Sequence, residues 1–159
     1  MARAPTVVAV ILGAVGAWAL VSFVGSDGAA EPEVHARIDG PVLVSDAHWE
    51  AGMAALIRGP VRLVGDCLFI GSAPVIWPTG TTWDDEADAV VLNDGTLVAV
   101  GATVSGGGGS LSAADVAGVF NEELADAVRA CAPNGRSAAS VFNPDQRLQV
   151  SNRKPTNGG

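Results

Sequence analysis

Hydrophobic and polar positions divide this chain into three regimes. From Thr6 to Val24 an apolar run proceeds without a charged side chain. From Ala55 to Val104 short apolar runs alternate with Gly, Pro and Asp, the grammar of a compact β-rich fold. From Ser112 to Cys131 apolar positions recur every three or four residues, the period of a helix that buries one face.

The middle regime predicts strands near 55–64, 67–71, 74–77, 89–93 and 96–104. Within it, Asp94-Gly95 separates two β-branched runs between Ala89 and Val100, and such a pair supplies the positive φ angles of a tight hairpin turn. Pro41 to Ser45 predicts a short first strand. Trp49 to Ile57 fits a short helix as well as the approach to a strand. The glycine run Gly106 to Gly109 is expected to break the β pattern, as a bulge or corner ahead of the helix.

Ser112 is the expected N-cap of that helix, with Asp115 as a shortened form of the capping-box acid. Val116, Val119, Phe120, Leu124, Ala127, Val128 and Cys131 then form one apolar stripe, opposite Asn121, Glu122 and Asp126. Pro133-Asn134-Gly135 stops the helix, and Ser140 to Phe142 returns as a last strand. The predicted fold class is α+β, mainly β: a small antiparallel, partly closed sheet with one packed helix. The predicted organisation is a membrane anchor or signal peptide over 1–25, a flexible acidic linker over 26–40, the domain over 41–150 and a disordered tail over 151–159.

As a helix the Thr6–Val24 run would be roughly 28 Å long, close to the ~30 Å hydrocarbon thickness of a bilayer. It suits a single N-terminal span. A cleaved signal peptide is the other reading, with Gly28-Ala29-Ala30 as a small-residue cleavage site before Glu31. Arg3 precedes the run, whereas Asp27, Glu31 and Glu33 follow it, so the basic flank is expected to stay cytoplasmic. Either way the rest of the chain is expected outside: a single-pass protein of the cytoplasmic membrane, or a secreted one if cut near Ala30. Ala9, Gly13 and Ala17 recur at the four-residue spacing of a close helix-packing face, a spacing that chance readily gives in so Ala- and Gly-rich a run.

The formal net charge is −8, and all 17 acidic residues follow the run. This argues against nucleic acid or an anionic lipid surface as partner. Abundant Ala, Gly, Val and Asp with a single Lys suggest a high-GC bacterial genome. The two cysteines, Cys67 and Cys131, form an even count in a chain expected to be exported, hence a candidate disulfide. Two buried free thiols are the alternative. Neither Cys has a second Cys or a His at ligand spacing.

Candidate chemistry is sparse. Gly107, Gly108 and Gly109 ahead of a helix would offer backbone N–H groups to an anion, but no Gly-Lys-Ser or Gly-Lys-Thr follows. Asp84, Asp85, Glu86 and Asp88 invite a Ca2+ site without supplying the order of ligands that a calcium loop needs. Trp77 and Trp83 are a candidate ligand platform for a sugar or peptide, with core packing as the competing role. His35 and His48 stand in no HExxH motif, and no Gly-x-Ser-x-Gly elbow occurs. No catalytic residue, metal site or cofactor is assigned.

One set of residues is familiar. Gly65-Asp66-Cys67-Leu68, Val75-Ile76-Trp77-Pro78 with Gly80, Asp94-Gly95, Val100-Gly101, Val104 and Gly106 to Gly109 resemble a group of small exported proteins and lipoproteins of actinobacteria. The likeness covers about Ala55 to Val141. It implies an extracytoplasmic location and transfers no activity. No lipidation Cys stands at the end of the apolar run, so attachment would rest on that run alone. The expected role is a non-enzymatic envelope protein that presents a disulfide-stapled domain to an envelope protein or small ligand. A small secreted enzyme or Ca2+-binding protein is the alternative.

Overall fold

The computed structural model describes residues 36–46, 49, 52–132 and 137–152. The apolar run Thr6–Val24, both histidines and the Pro133-Asn134-Gly135 stop lie outside them. Among the described residues no helix is long and apolar enough to cross a membrane.

The described residues form eleven strands and two helices, in order β1 (Ala36–Asp39), β2 (Val42–Ser45), β3 (Ala55–Val64), β4 (Cys67–Ile70), β5 (Ala73–Trp77), β6 (Thr82–Asp84), β7 (Ala89–Val91), β8 (Leu97–Ala99), β9 (Thr103–Ser112), α1 (Ala113–Val119), α2 (Glu122–Cys131), β10 (Ala138–Phe142) and β11 (Gln149–Ser151). Strands β3, β4, β5, β10 and β9 pair in that order, and β9 pairs back to β3, which closes a five-stranded barrel. Every joint of the ring is antiparallel except β5 with β10, which run parallel. The sheet is therefore mixed and closed rather than antiparallel and partly open. The β1–β2 hairpin extends it from β5 through a second parallel joint, β2 with β5. Strands β6, β7 and β8 form a separate three-stranded sheet.

Alternation along the strands feeds two cores. Val42, Val44, Val75, Trp77, Val61, Val104 and Phe142 belong to one, which also takes Val90 and Val98 from the small sheet. Intervening residues Leu43, Ile76, Ala139 and Val141 belong to the other, with Val116, Phe120, Leu124 and Val128 of the helices. Strands β2 and β5 thus bury side chains on both faces, which is why they read as continuous apolar runs.

The structure departs from the sequence reading at several elements. β1 occupies part of the stretch 26–40 read as linker, since Ile38 and Asp39 pair with Leu43 and Val42 across a turn at Gly40, φ +56°. The expected strand 96–104 is split, because Gly101 at φ +93° turns the chain out of β8 before β9 begins. The expected single helix is two. α1 starts at the predicted box, with Ser112 accepting from the Asp115 backbone and Asp115 accepting from the Ser112 backbone. It ends at Phe120, and the Asn121 side chain then caps α2 by accepting from the Leu124 N–H at 2.8 Å. Asn caps better than it continues a helix, because its amide competes with the backbone ladder. β11 follows the expected last strand and pairs with β9.

The glycine run is the largest departure. Gly106 to Gly109 lie within β9, in register with β3 on one side and β10 on the other. A Cβ on Gly106 would overlap Leu148, one on Gly108 the Val141 carbonyl and Ile57, and one on Gly109 the Met53 sulfur. The strand is pressed from both faces, so only a backbone without side chains fits.

Candidate functional site

The helix that the glycine run precedes begins at Ala113, beyond the end of β9 and capped by Ser112 as expected. Gly107, Gly108 and Gly109 therefore do not form its N-terminus, and the anion-site geometry is not present. Trp77 is fully buried and packs against Phe142 with ring centroids 5.8 Å apart. Trp83 is half-buried beside Gly40. A platform made of both rings is overturned, since one of them faces a core.

The acidic run makes the β6–β7 turn. An Asp84 carboxylate oxygen accepts from the N–H groups of Glu86 and Ala87, each at 3.0 Å, and Asp88 adopts φ +46°. Asp85 and Glu86 are exposed. Among the described residues no group of three or more His, Cys, Asp or Glu side chains is placed to hold a metal ion. The acidic residues shape a turn; they do not converge on a cation site.

Cys67 and Cys131 are bonded, with S–S 2.03 Å and Cα atoms 5.7 Å apart. The bridge joins the start of β4 to the end of α2, fastening helix to barrel. Beside it lies an open cleft of about 370 Å3, walled by Phe69, Val64, Ala130 and both half-cystines, with Arg62 at its side. The Arg62 guanidinium donates to the Gly71 carbonyl.

A second, smaller pocket of about 220 Å3 is lined by Trp49, Gly52, Asn143, Pro144, Asp145 and Gln146. Asn143 organises it. Its amide oxygen accepts from the Met53 N–H at 2.8 Å, and its amide nitrogen donates to the Met53 carbonyl at 3.1 Å. Two glycines make room for this side chain: a Cβ on Gly52 would approach its amide nitrogen to 2.8 Å, and one on Gly107 to 3.2 Å. The Gly107 Cβ would also lie 2.8 Å from the Gln146 amide oxygen. Trp49 stacks on Phe120 at 5.8 Å with the planes 27° apart, which ties the pocket wall to the helical core. Sequence reasoning missed this pocket. Its one signal was the glycine run, whose outward position Gly107 admits the loop carrying Asn143 and Gln146.

The titratable groups with displaced pKa values lie elsewhere. Hydrogen bonding from the Thr96 side chain holds Asp94 below the ordinary carboxylate value, and hydrogen bonding from the Ser112 side chain does the same for Asp115. Pairing with Asp126 raises Arg129. All three are exposed groups engaged in a turn, a cap or a helix-surface ion pair.

No protein-family model, curated protein or solved structure matches the chain.

Proposed function

We propose that this chain is a non-enzymatic extracytoplasmic envelope protein, held at the outer face of the cytoplasmic membrane by the Thr6–Val24 run. Its barrel domain is presented there to an envelope protein or small ligand, and the resemblance to exported actinobacterial proteins supports the location. The Cys67–Cys131 bridge carries this reading, because structural disulfides form and persist in oxidising compartments and are rare in the cytosol. Arg3 ahead of the apolar run, with no Lys or Arg close behind it, supports the outward orientation.

The test is protease treatment of intact cells and of spheroplasts, with the chain detected by mass before and after reduction. Cleavage of the domain in spheroplasts, with an oxidised bridge and an uncut amino terminus in the membrane fraction, is expected. A reduced, protease-protected chain in the cytoplasm overturns the proposal. A start at Glu31 would replace the anchored form by the secreted one.

A further inference from the structure

The Trp49 pocket joins an indole that leans on the helical core to two amide side chains that neither core takes up. Asn143 spends one amide N–H and one oxygen lone pair on Met53, and an amide side chain has a second of each. Gln146 donates one N–H to the Arg147 carbonyl at 3.2 Å, while its oxygen has no hydrogen-bond partner among the described residues. Trp49 contributes a partly exposed indole. Asn143 is clamped to Met53, and the Gln146 amide lies over Gly107, its oxygen 2.8 Å from where a Cβ would stand.

The chemistry of this lining selects a class of ligand. Among the described residues an anion finds no cationic side chain along the pocket wall and one carboxylate, Asp145, on a chain of net charge −8. A cation finds a single carboxylate there, on a residue that already has a partner within the protein. A purely apolar ligand would strip water from two amides and return no hydrogen bond, which is costly. At about 220 Å3 the pocket is smaller than the ~300 Å3 at which drug-sized sites begin, so it takes one ring. We propose that it binds a single uncharged, hydroxyl-rich ring, a neutral monosaccharide unit. The C–H face of the ring lies on the indole, and vicinal hydroxyls exchange hydrogen bonds with the amides of Gln146 and Asn143. This inference rests on the binding-module reading, and on the extracytoplasmic location only for the source of the sugar, an envelope glycan or a free sugar.

The experiment is an NMR titration of the full 15N-labelled chain held in amphipol, with methyl glucoside and N-acetylglucosamine as probes and choline as the cationic control. Saturable, millimolar shifts of the Trp49 indole N–H and the Gln146 side-chain amide are expected with a sugar. Trp49→Ala and Gln146→Ala should each weaken binding about tenfold, and Trp49→Phe should restore most of it. Unchanged resonances of the barrel strands show that each variant is folded, and Gln146, on an exposed loop, supplies the safer of the two. The proposal is overturned if no sugar shifts these resonances, if choline shifts them and sugars do not, or if both alanine variants bind as the parent does. Co-sedimentation with insoluble cell-wall glycan, reversed by free methyl glucoside, would identify the polymer as the source; saturable titration without sedimentation would identify a free sugar. A null titration on a chain shown to be exported removes the ligand and leaves the envelope reading standing. A sugar shift on a chain found in the cytoplasm does the reverse.

Discussion

Replacing both cysteines by alanine tests how the helical layer is held to the barrel. Cys67 and Cys131 are 64 residues apart in sequence, and a loop of that length is worth about 4 kcal/mol in the chain-entropy model. A domain of this size is stable by about 5–15 kcal/mol, so the bridge is a large part of the total. α2 keeps Leu124, Ala125 and Val128 in its core, so the native packing survives and the loss falls mainly on the unfolded chain. The double variant should unfold about 15 °C lower. Urea unfolding followed by tryptophan fluorescence should give the lower midpoint together with a steeper denaturant dependence, because the unfolded chain expands once the loop is open. Each single variant should match the double one. A loss under about 1 kcal/mol with an unchanged slope would show that the bridge adds little to packing already sufficient, and the loop argument would fail.

Three further outcomes follow from local geometry. Gly108→Ala should cost about 3 kcal/mol or more in chemical denaturation, since its Cβ meets a backbone carbonyl, whereas Gly109→Ala should cost about 1 kcal/mol because the Met53 side chain can move aside. Asp115→Asn should destabilise the chain at neutral pH; the folded pKa of Asp115 is depressed, so its contribution is present above the ordinary value of 3.8 and is lost as pH falls through the folded value, and the two melting curves should converge in acid. Ser45 is fully buried and its hydroxyl has no hydrogen-bond partner among the described residues, so Ser45→Ala should leave the melting temperature unchanged or raise it by an amount equivalent to about 1 kcal/mol; a fall of that size would point to a partner for the hydroxyl.

Local chemistry was legible where one segment decides its own conformation. β3 occupies the predicted 55–64, Asp94-Gly95 turns the hairpin between β7 and β8 with Gly95 at φ +80°, and Ser112 with Asp115 opens α1. The glycine run was misread because composition gives it no β propensity; its strand character comes from β3 and β10 pairing on either side. Closure of the ring depends on the parallel joint of β5 with β10, between residues about 65 apart, which no local pattern encodes. The break between α1 and α2 was visible only as Asn121, which fits the polar face of one long helix as well as the cap of a second. Trp49 and Asn143 meet through Gly52 and Met53, a juxtaposition across some 90 residues that their types alone do not announce.

The parallel joint also fixes the order in which the domain can be completed. β10 is the strand that fills the gap between β5 and β9, and it arrives after every other member of the ring. A chain halted before residue 138 would hold two unpaired strand edges and, if halted before residue 131, a Cys67 thiol with no partner. Such edges recruit strands from other chains, and a lone thiol can cross-link them. Delivery of β10 therefore separates a closed barrel from a species primed to aggregate, and the nascent domain must be held apart from its copies until then.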